Sequence, residues 1–600
     1  MNTAVQEADD IKLPDPLQMT RTWIGIAETS QRLVNEFLRR QMSQGHYHLS
    51  DPLGIGKAFS EMTHRLLANP AKLVEAQIAL WQGYLDLWHK SSAAFFGHQV
   101  EPAVKPGPGD RRFKDDAWQR NFVFDYIKQS YLLTARWLQD VVGEVEGLDP
   151  KTKKKLDFYT RQFVDALAPT NFPITNPEVL RVTLESGGEN LLKGLRNLLK
   201  DLENSKGKLR IRHTDLQAFD LGKNIALTPG KVIYQTELMQ LIQYNPSTAE
   251  VYRRPLLVIP PWINKYYILD LREKNSFVKW WVDQGFTVFM VSWVNPDEAL
   301  ADKDFEDYLT EGTLAALDAI EQATGEREVN AVGYCLGGTL LGVTMGYLAK
   351  RRINRIRTCT YFATMLDFSH PGELEVFIDE EQISSLEETM NKRGYLDGAE
   401  MATTFNMLRA NDLIWSFFVN NYLLGKEPFP FDLLYWNADS TRMPAKMHSF
   451  YLRNMYQKNL LRKPDGLSLA GSRIDLSRVK VPTYFVATIE DHIAPWKSTY
   501  AGTQLFTGPV RFVLGGSGHI AGIINPPTGG KYGYWINEQT PTSAEEWFAH
   551  AAQHEGSWWG DWLAWITPEA GDKIPARQPG DGQLPVLEDA PGSYVKTRPA

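Results

Sequence analysis

The stretch that most limits what this chain can fold into is VNAVGYCLGGTLLG, residues 329–342. An apolar run, VNAVG, reads as a buried strand, and GGTLLGVTMGYLAKRR after it reads as a helix. Between them lies Gly333-Tyr334-Cys335-Leu336-Gly337-Gly338. A reactive side chain with glycines two residues to either side, at a strand-to-helix turn, is the elbow pattern G-x-S-x-G, here with sulfur for oxygen. The spacing has a steric cause: the central residue occupies a strained turn, and the glycines let strand and helix approach closely. A buried structural cysteine at a glycine-lined packing point is the plainer alternative. The strand before it and the helix after it favour a nucleophile. Cys359, inside IRTCTYFATML (356–366), lacks this context and reads as a small core residue.

The surrounding segments alternate. PLLVIPPWI (255–263) is a strand leading into a loop, NSFVKWWVDQG (275–285) a helix, FTVFMVSW (286–293) a strand, and 304–325 an amphipathic helix closed by Gly325. Strands alternating with helices predict a parallel sheet covered by helices. The alternation stops at 367–475, an aromatic-rich, irregularly helical stretch read as an inserted cap. It resumes with VPTYFVATIED (481–491) and GPVRFVLGGSGH (508–519). Residues 1–209 read as an all-α domain, 210–600 as the sheet domain, and 570–600, rich in Pro and Gly, as an extended tail. The expected fold is an α/β-hydrolase fold with an inserted cap, preceded by that helical domain. PAKLVEAQIALWQGYLDLWHK (70–90) carries Leu73, Ala76, Leu80, Trp81, Tyr84 and Trp88 at helical spacing, and 19–42 does so with Trp23, Ile26, Leu33 and Phe37. Such helices can pack internally or cover an apolar particle.

In this fold the nucleophile is followed along the chain by an acid and then a histidine. Asp491 ends one late strand, and His519 stands in a glycine-rich loop after the next. His519 would draw the proton from Cys335, and Asp491 would orient the imidazole. The backbone N–H of Leu336 is one expected oxyanion donor, and Trp262 or Ile263 the other. His492, beside Asp491, is a candidate substrate contact, as are Trp436 and Asn264. No metal-ligand spacing is present, so no metal is expected.

Sulfur favours thioester exchange over amide cleavage, because a thiolate and a thioester interconvert at similar energy. A cap rich in Trp, Tyr and Phe would keep water from an acyl-enzyme. A net charge of −8, with no basic domain, argues against nucleic-acid binding. Two cysteines exclude a disulfide framework and point to a reducing cytoplasm. No leader and no apolar run of about 18 residues is evident, so neither a signal peptide nor a membrane span is expected.

Longer motifs add a resemblance. GDRRFKDDAWQRN (109–121), PPWINKYYILDLREKNSFVKW (260–280), VSWVNPD (291–297), GYCLGG (333–338), LLYWN (433–437), EDHIAPW (490–496), GSGHIAGIINPP (516–527) and GSWWGDW (556–562) occur in order. From about residue 109 onward the chain resembles the class I polyhydroxyalkanoate synthases, the poly(3-hydroxyalkanoate) polymerases. That resemblance implies the triad Cys335, Asp491 and His519. It also implies polymerisation of (R)-3-hydroxyacyl-CoA, foremost (R)-3-hydroxybutyryl-CoA, with release of CoA. A homodimer at the surface of cytoplasmic polyester granules is implied as well, and no cofactor is. The competing expectations are a thioesterase or esterase with the same triad, and a non-catalytic granule-associated protein.

Overall fold

The computed structural model describes residues 20–22, 24–29, 31–32, 55–205 and 209–598. Its Cα packing separates two units. The first comprises Met1–Asp215 with Asn406–Phe429, the second Leu216–Phe405 with Pro430–Ala600.

Among the described residues, the main helices of the first unit are α1 (Ile55–Ala68), α2 (Pro70–Phe95), α3 (Phe122–Gly143), α4 (Pro150–Ala166), α5 (Pro177–Glu185) and α6 (Glu189–Asn204). Their starts follow from side-chain chemistry. Asn121, Asp149 and Asn176 accept hydrogen bonds from first-turn N–H groups, and Pro150 and Pro177 open their helices without wasting a donor. Helices α5 and α6 are separated where Gly187 and Gly188 both take positive φ, 62° and 87°.

Helix α2 is apolar on two faces. Leu87 is fully buried, Trp137 Nε1 donates to the Ala76 carbonyl at 2.9 Å, and a Cβ on Gly83 would come within 2.8 Å of Leu133. On another face Val74, Ile78, Trp81, Leu85, Trp88 and Phe95 are each at least half exposed. The stripe read from the sequence therefore mixes the two. Trp23, Leu33 and Phe37 lie outside the described residues.

Segment 406–429 packs with these helices, whereas the sequence reading kept 367–475 together. Asn190 and Asn197 donate to the carbonyls of Leu423 and Asn421 at 2.8 and 3.1 Å, and the Tyr422 hydroxyl donates to Asp201 at 2.7 Å. A side chain at Gly194 would collide with the Tyr422 carbonyl.

The second unit is built on a mixed sheet of β1 (Gly230–Gln235), β2 (Met239–Tyr244), β3 (Leu256–Ile259), β4 (Val288–Trp293), β5 (Val329–Tyr334), β6 (Ile356–Phe362), β7 (Thr483–Thr488), β8 (Val510–Gly515), β9 (Tyr534–Ile536), β10 (Ala552–His554) and β11 (Glu588–Asp589). Their spatial order is β10-β9-β8-β7-β6-β5-β3-β4-β2-β1-β11. The run from β8 to β4 is parallel, and both flanks are antiparallel. The α/β-hydrolase fold thus stands, with a parallel centre rather than a wholly parallel sheet. Strands β3 to β5 are buried on both faces, as strands covered by helices must be. Helices α7 (Ala315–Thr324) and α8 (Leu336–Arg351) belong to this cover. Every residue of α8 from Leu336 to Leu348 is buried, and Gly325 closes α7 at φ 74°.

The tail is not merely extended. Lys573–Pro575 pairs with Glu250–Tyr252, β11 pairs with β1, and Val595 is fully buried. The buried Lys265 ammonium donates to the carbonyls of Val595 and Thr597, each at 2.7 Å. Among the described residues no helix is long and apolar enough to cross a membrane.

Candidate active site

Three candidates from the sequence meet at the C-terminal ends of parallel strands, where open α/β sheets bind ligands. Cys335 follows β5 directly, Asp491 follows β7 and His519 follows β8. Cys335 is a non-glycine residue at φ 52°, ψ −119°. Its N–H donates to the Phe362 carbonyl at 2.9 Å, and its carbonyl accepts from Gly338 and Thr339 at 2.9 and 3.1 Å. These bonds hold the strained turn. A Cβ on Gly333 would come within 2.5 Å of the Gly338 Cα; one on Gly337 would strike the Ile259 carbonyl, and one on Gly338 the Thr364 side chain. The glycine spacing is therefore a packing requirement.

The Asp491 carboxylate is fixed from two sides. One oxygen accepts from the backbone N–H groups of Ile493 and Ala494 at 2.9 and 2.8 Å. The other lies 2.7 Å from His519 Nδ1. The Tyr334 hydroxyl donates to the His519 carbonyl at 3.1 Å, and its ring stacks on the imidazole at 5.7 Å. Trp558 and Trp559 donate their indole N–H groups to the carbonyls of Gly522 and Ile523, at 2.8 and 2.9 Å. The late GSWWGDW motif thereby secures the loop beyond His519. Burial works against a charged His519 ring. The Asp491 carboxylate and the Cys335 sulfur outweigh it and hold the ring up to about 10. Cys359 is fully buried in β6, and burial pushes its thiol up, so it resists ionisation.

Cys335 and Leu336 open onto a mostly apolar cavity of about 140 Å³, whose walls include Ile263, Met365, Phe377, Met401 and Leu452. Of the oxyanion candidates, Leu336 and Ile263 line it. Trp262 does not: its ring is buried against Trp293, Phe305, Tyr308 and Tyr451. The candidate substrate contacts are placed elsewhere. Trp436 Nε1 donates to the Lys265 carbonyl at 2.7 Å, and Asn264 Oδ1 accepts from the Lys265 N–H at 2.8 Å. Both tie down the loop that carries Ile263. His492 is not on the cavity wall, although its neighbours Ile493 and Ala494 are.

Sequence reasoning missed His448, Tyr451 and Tyr456, which line the cavity from HSFYLRNMYQKN. Their spacing is that of a helix face, α9 (Ala445–Tyr451) running on through Gln457. Helical spacing alone cannot distinguish a wall of the cavity from ordinary core.

The strand order, the elbow and the buried acid–histidine pair define an α/β-hydrolase-fold protein with cysteine at the elbow. The family model "alpha/beta hydrolase fold" matches residues 271–526. The model "Poly-beta-hydroxybutyrate polymerase (PhaC) N-terminus" matches 109–281. The chain is 51% identical over 592 residues to a poly(3-hydroxyalkanoate) polymerase of Methylorubrum extorquens, covering 96% of this chain and 97% of that one. It is 51% identical to poly(3-hydroxyalkanoate) polymerase subunit PhaC of Rhizobium meliloti (90% and 88% covered) and 42% identical to that of Cupriavidus necator (88% and 89% covered). The chain belongs to the poly(3-hydroxyalkanoate) polymerase family.

Proposed function

We propose that this protein polymerises (R)-3-hydroxyacyl-CoA, foremost (R)-3-hydroxybutyryl-CoA, into polyhydroxyalkanoate through an acyl-Cys335 intermediate. The observation that carries the reading is the elbow cysteine opening onto an apolar cavity beside the Asp491–His519 pair, 2.7 Å apart. His519 takes the Cys335 proton. The thiolate sulfur bonds to the acyl carbon, the thioester C–S bond breaks, and the departing CoA sulfur receives the proton. The 3-hydroxyl of a second unit then attacks acyl-Cys335. An ester C–O bond forms, the C–S bond to Cys335 breaks, and His519 takes the hydroxyl proton. Asp491 orients the ring and stabilises its cation. The Leu336 N–H serves the developing oxyanion, with Ile263 a better second donor than Trp262 because it shares the cavity wall with Cys335.

The family resemblance extends the proposal to a homodimeric class I enzyme working at cytoplasmic granule surfaces. The exposed apolar face of α2 supports the surface part, since contiguous exposed apolar area marks interaction sites. The test is incubation with (R)-3-hydroxybutyryl-CoA, following CoA release and pelletable polyester. Cys335→Ala should abolish both, and an acyl adduct should map to Cys335. Soluble monomer as the product would instead identify a hydrolase, and no CoA release a non-catalytic granule protein.

A further inference from the structure

His448 is a polar residue on an apolar wall. It lies on α9, is 3% exposed, and lines the cavity that Cys335 opens into. Neither of its ring nitrogens has a hydrogen-bond partner among the described residues. Other polar groups on this wall are engaged. The Thr339 hydroxyl donates to the Met365 carbonyl at 2.9 Å, Glu400 pairs with Arg393 at 2.8 Å, and the Thr404 hydroxyl donates to the Glu400 carbonyl at 3.2 Å. A buried imidazole with both nitrogens unsatisfied is costly to keep, so its partner is to be sought in what enters the cavity.

We infer that His448 receives the 3-hydroxyl of the acyl group bound at Cys335 and so selects hydroxyacyl over plain acyl thioesters. The inference rests on the acyl-transfer reading above. A neutral imidazole offers one donor and one acceptor. A hydroxyl both donates and accepts, whereas a thioester carbonyl only accepts and is already served at the elbow. With burial favouring the neutral ring, both kinds of site stay present at neutral pH. The thioester carbon held at Cys335 and the hydroxyl held at His448 fix the acyl unit at two points. The apolar wall then takes the alkyl end. A site that hydrogen-bonds a substrate hydroxyl rejects the analogue lacking it, because its own polar group is left unpaired.

The test compares Cys335 acylation of the full-length protein by (R)-3-hydroxybutyryl-CoA and by butyryl-CoA, reading CoA release and intact mass. The wild type should prefer the hydroxy thioester by about 10-fold or more. His448→Leu should bring the two rates to within about 2-fold, chiefly by slowing the hydroxy substrate. His448→Gln, which keeps a donor and an acceptor, should retain part of the preference. Should His448→Leu fail to fold, His448→Gln is read against His448→Met. A wild type indifferent to the hydroxyl, or a preference that survives in the apolar variant, overturns the assignment while leaving acyl transfer intact. A wild type that releases CoA from neither thioester overturns both.

Discussion

The surroundings displace two buried histidines near Cys335 in opposite directions from the ordinary imidazole value, His519 upward and His448 downward, and this gives the protein a testable pH signature. His519 is held up to about 10 against an ordinary 6.5, with burial opposing and Asp491 and Cys335 prevailing. The folded state therefore binds a proton that the unfolded chain releases. Its contribution is complete below about 6.5 and is lost as pH rises through about 10. His448 is pushed down to about 4 by burial alone. It contributes nothing to charge repulsion above 6.5, but stability drains away as pH falls from 6.5 towards 4, where the unfolded chain takes up the proton first. Thermal melts across pH 4–10 should show a flatter alkaline limb in His519→Gln and a flatter acid limb in His448→Leu than in the wild type. In turnover, His519→Gln should lose about 100- to 10,000-fold, the usual cost of a general base, and His492→Gln far less. Equal losses in CoA release would mean that the base is misassigned. The catalytic candidates were legible because strand-end glycine motifs mark Cys335 and His519. His448 was not, because an unsatisfied ring is a fact of three-dimensional surroundings, and its neighbours come from segments far apart in sequence.

At the scale of elements, the parallel centre was readable because β3, β4 and β5 are short continuous apolar runs separated by helical patterns. The flanks were less so. The hairpin β1–β2 mixes polar and apolar residues, and its burial depends on neighbours that include β11 from the chain's last residues. Helix α2 shows the same limit from the other side. Its periodicity announced an apolar stripe, yet only the structure separates the face carrying Leu87 from the face carrying Trp81 and Trp88. The two should respond differently to mutation. Leu87→Ala should destabilise the protein by about 2–5 kcal/mol, as a core truncation does. Trp81→Ser with Trp88→Ser should stay within about 0.5 kcal/mol per site, as surface changes do. Chemical denaturation of both variants decides this. A double tryptophan variant as unstable as Leu87→Ala would show that this face is covered in the folded protein.

At the largest scale, the second unit is held together by contacts between its early and late segments. Lys265, 2% exposed, reaches the carbonyls of Val595 and Thr597, with Asp439 at 3.5 Å. Deleting residues 595–600 would strip two charge-assisted bonds from a buried ammonium, a loss of about 3–6 kcal/mol at about 1.5–3 kcal/mol each. Lys265→Met in the truncated chain should recover part of that loss, and a double-mutant cycle in thermal melts measures the coupling. Additive effects would show that the tail's contribution lies elsewhere. The division of the first unit has a further consequence, for the order of events at the ribosome. Its helices are made early, but Asn406–Phe429, on which Asn190, Asn197 and Asp201 close, emerges only after the whole of Leu216–Phe405. At about 5–20 residues per second the wait is on the order of 10–40 s. During that time the polar side chains of α6 meant for 406–429 face solvent or a chaperone. The usual rule that the amino-terminal part of a nascent chain matures first is therefore inverted, and a pause in translation before residue 406 should leave a protease-sensitive amino-terminal half.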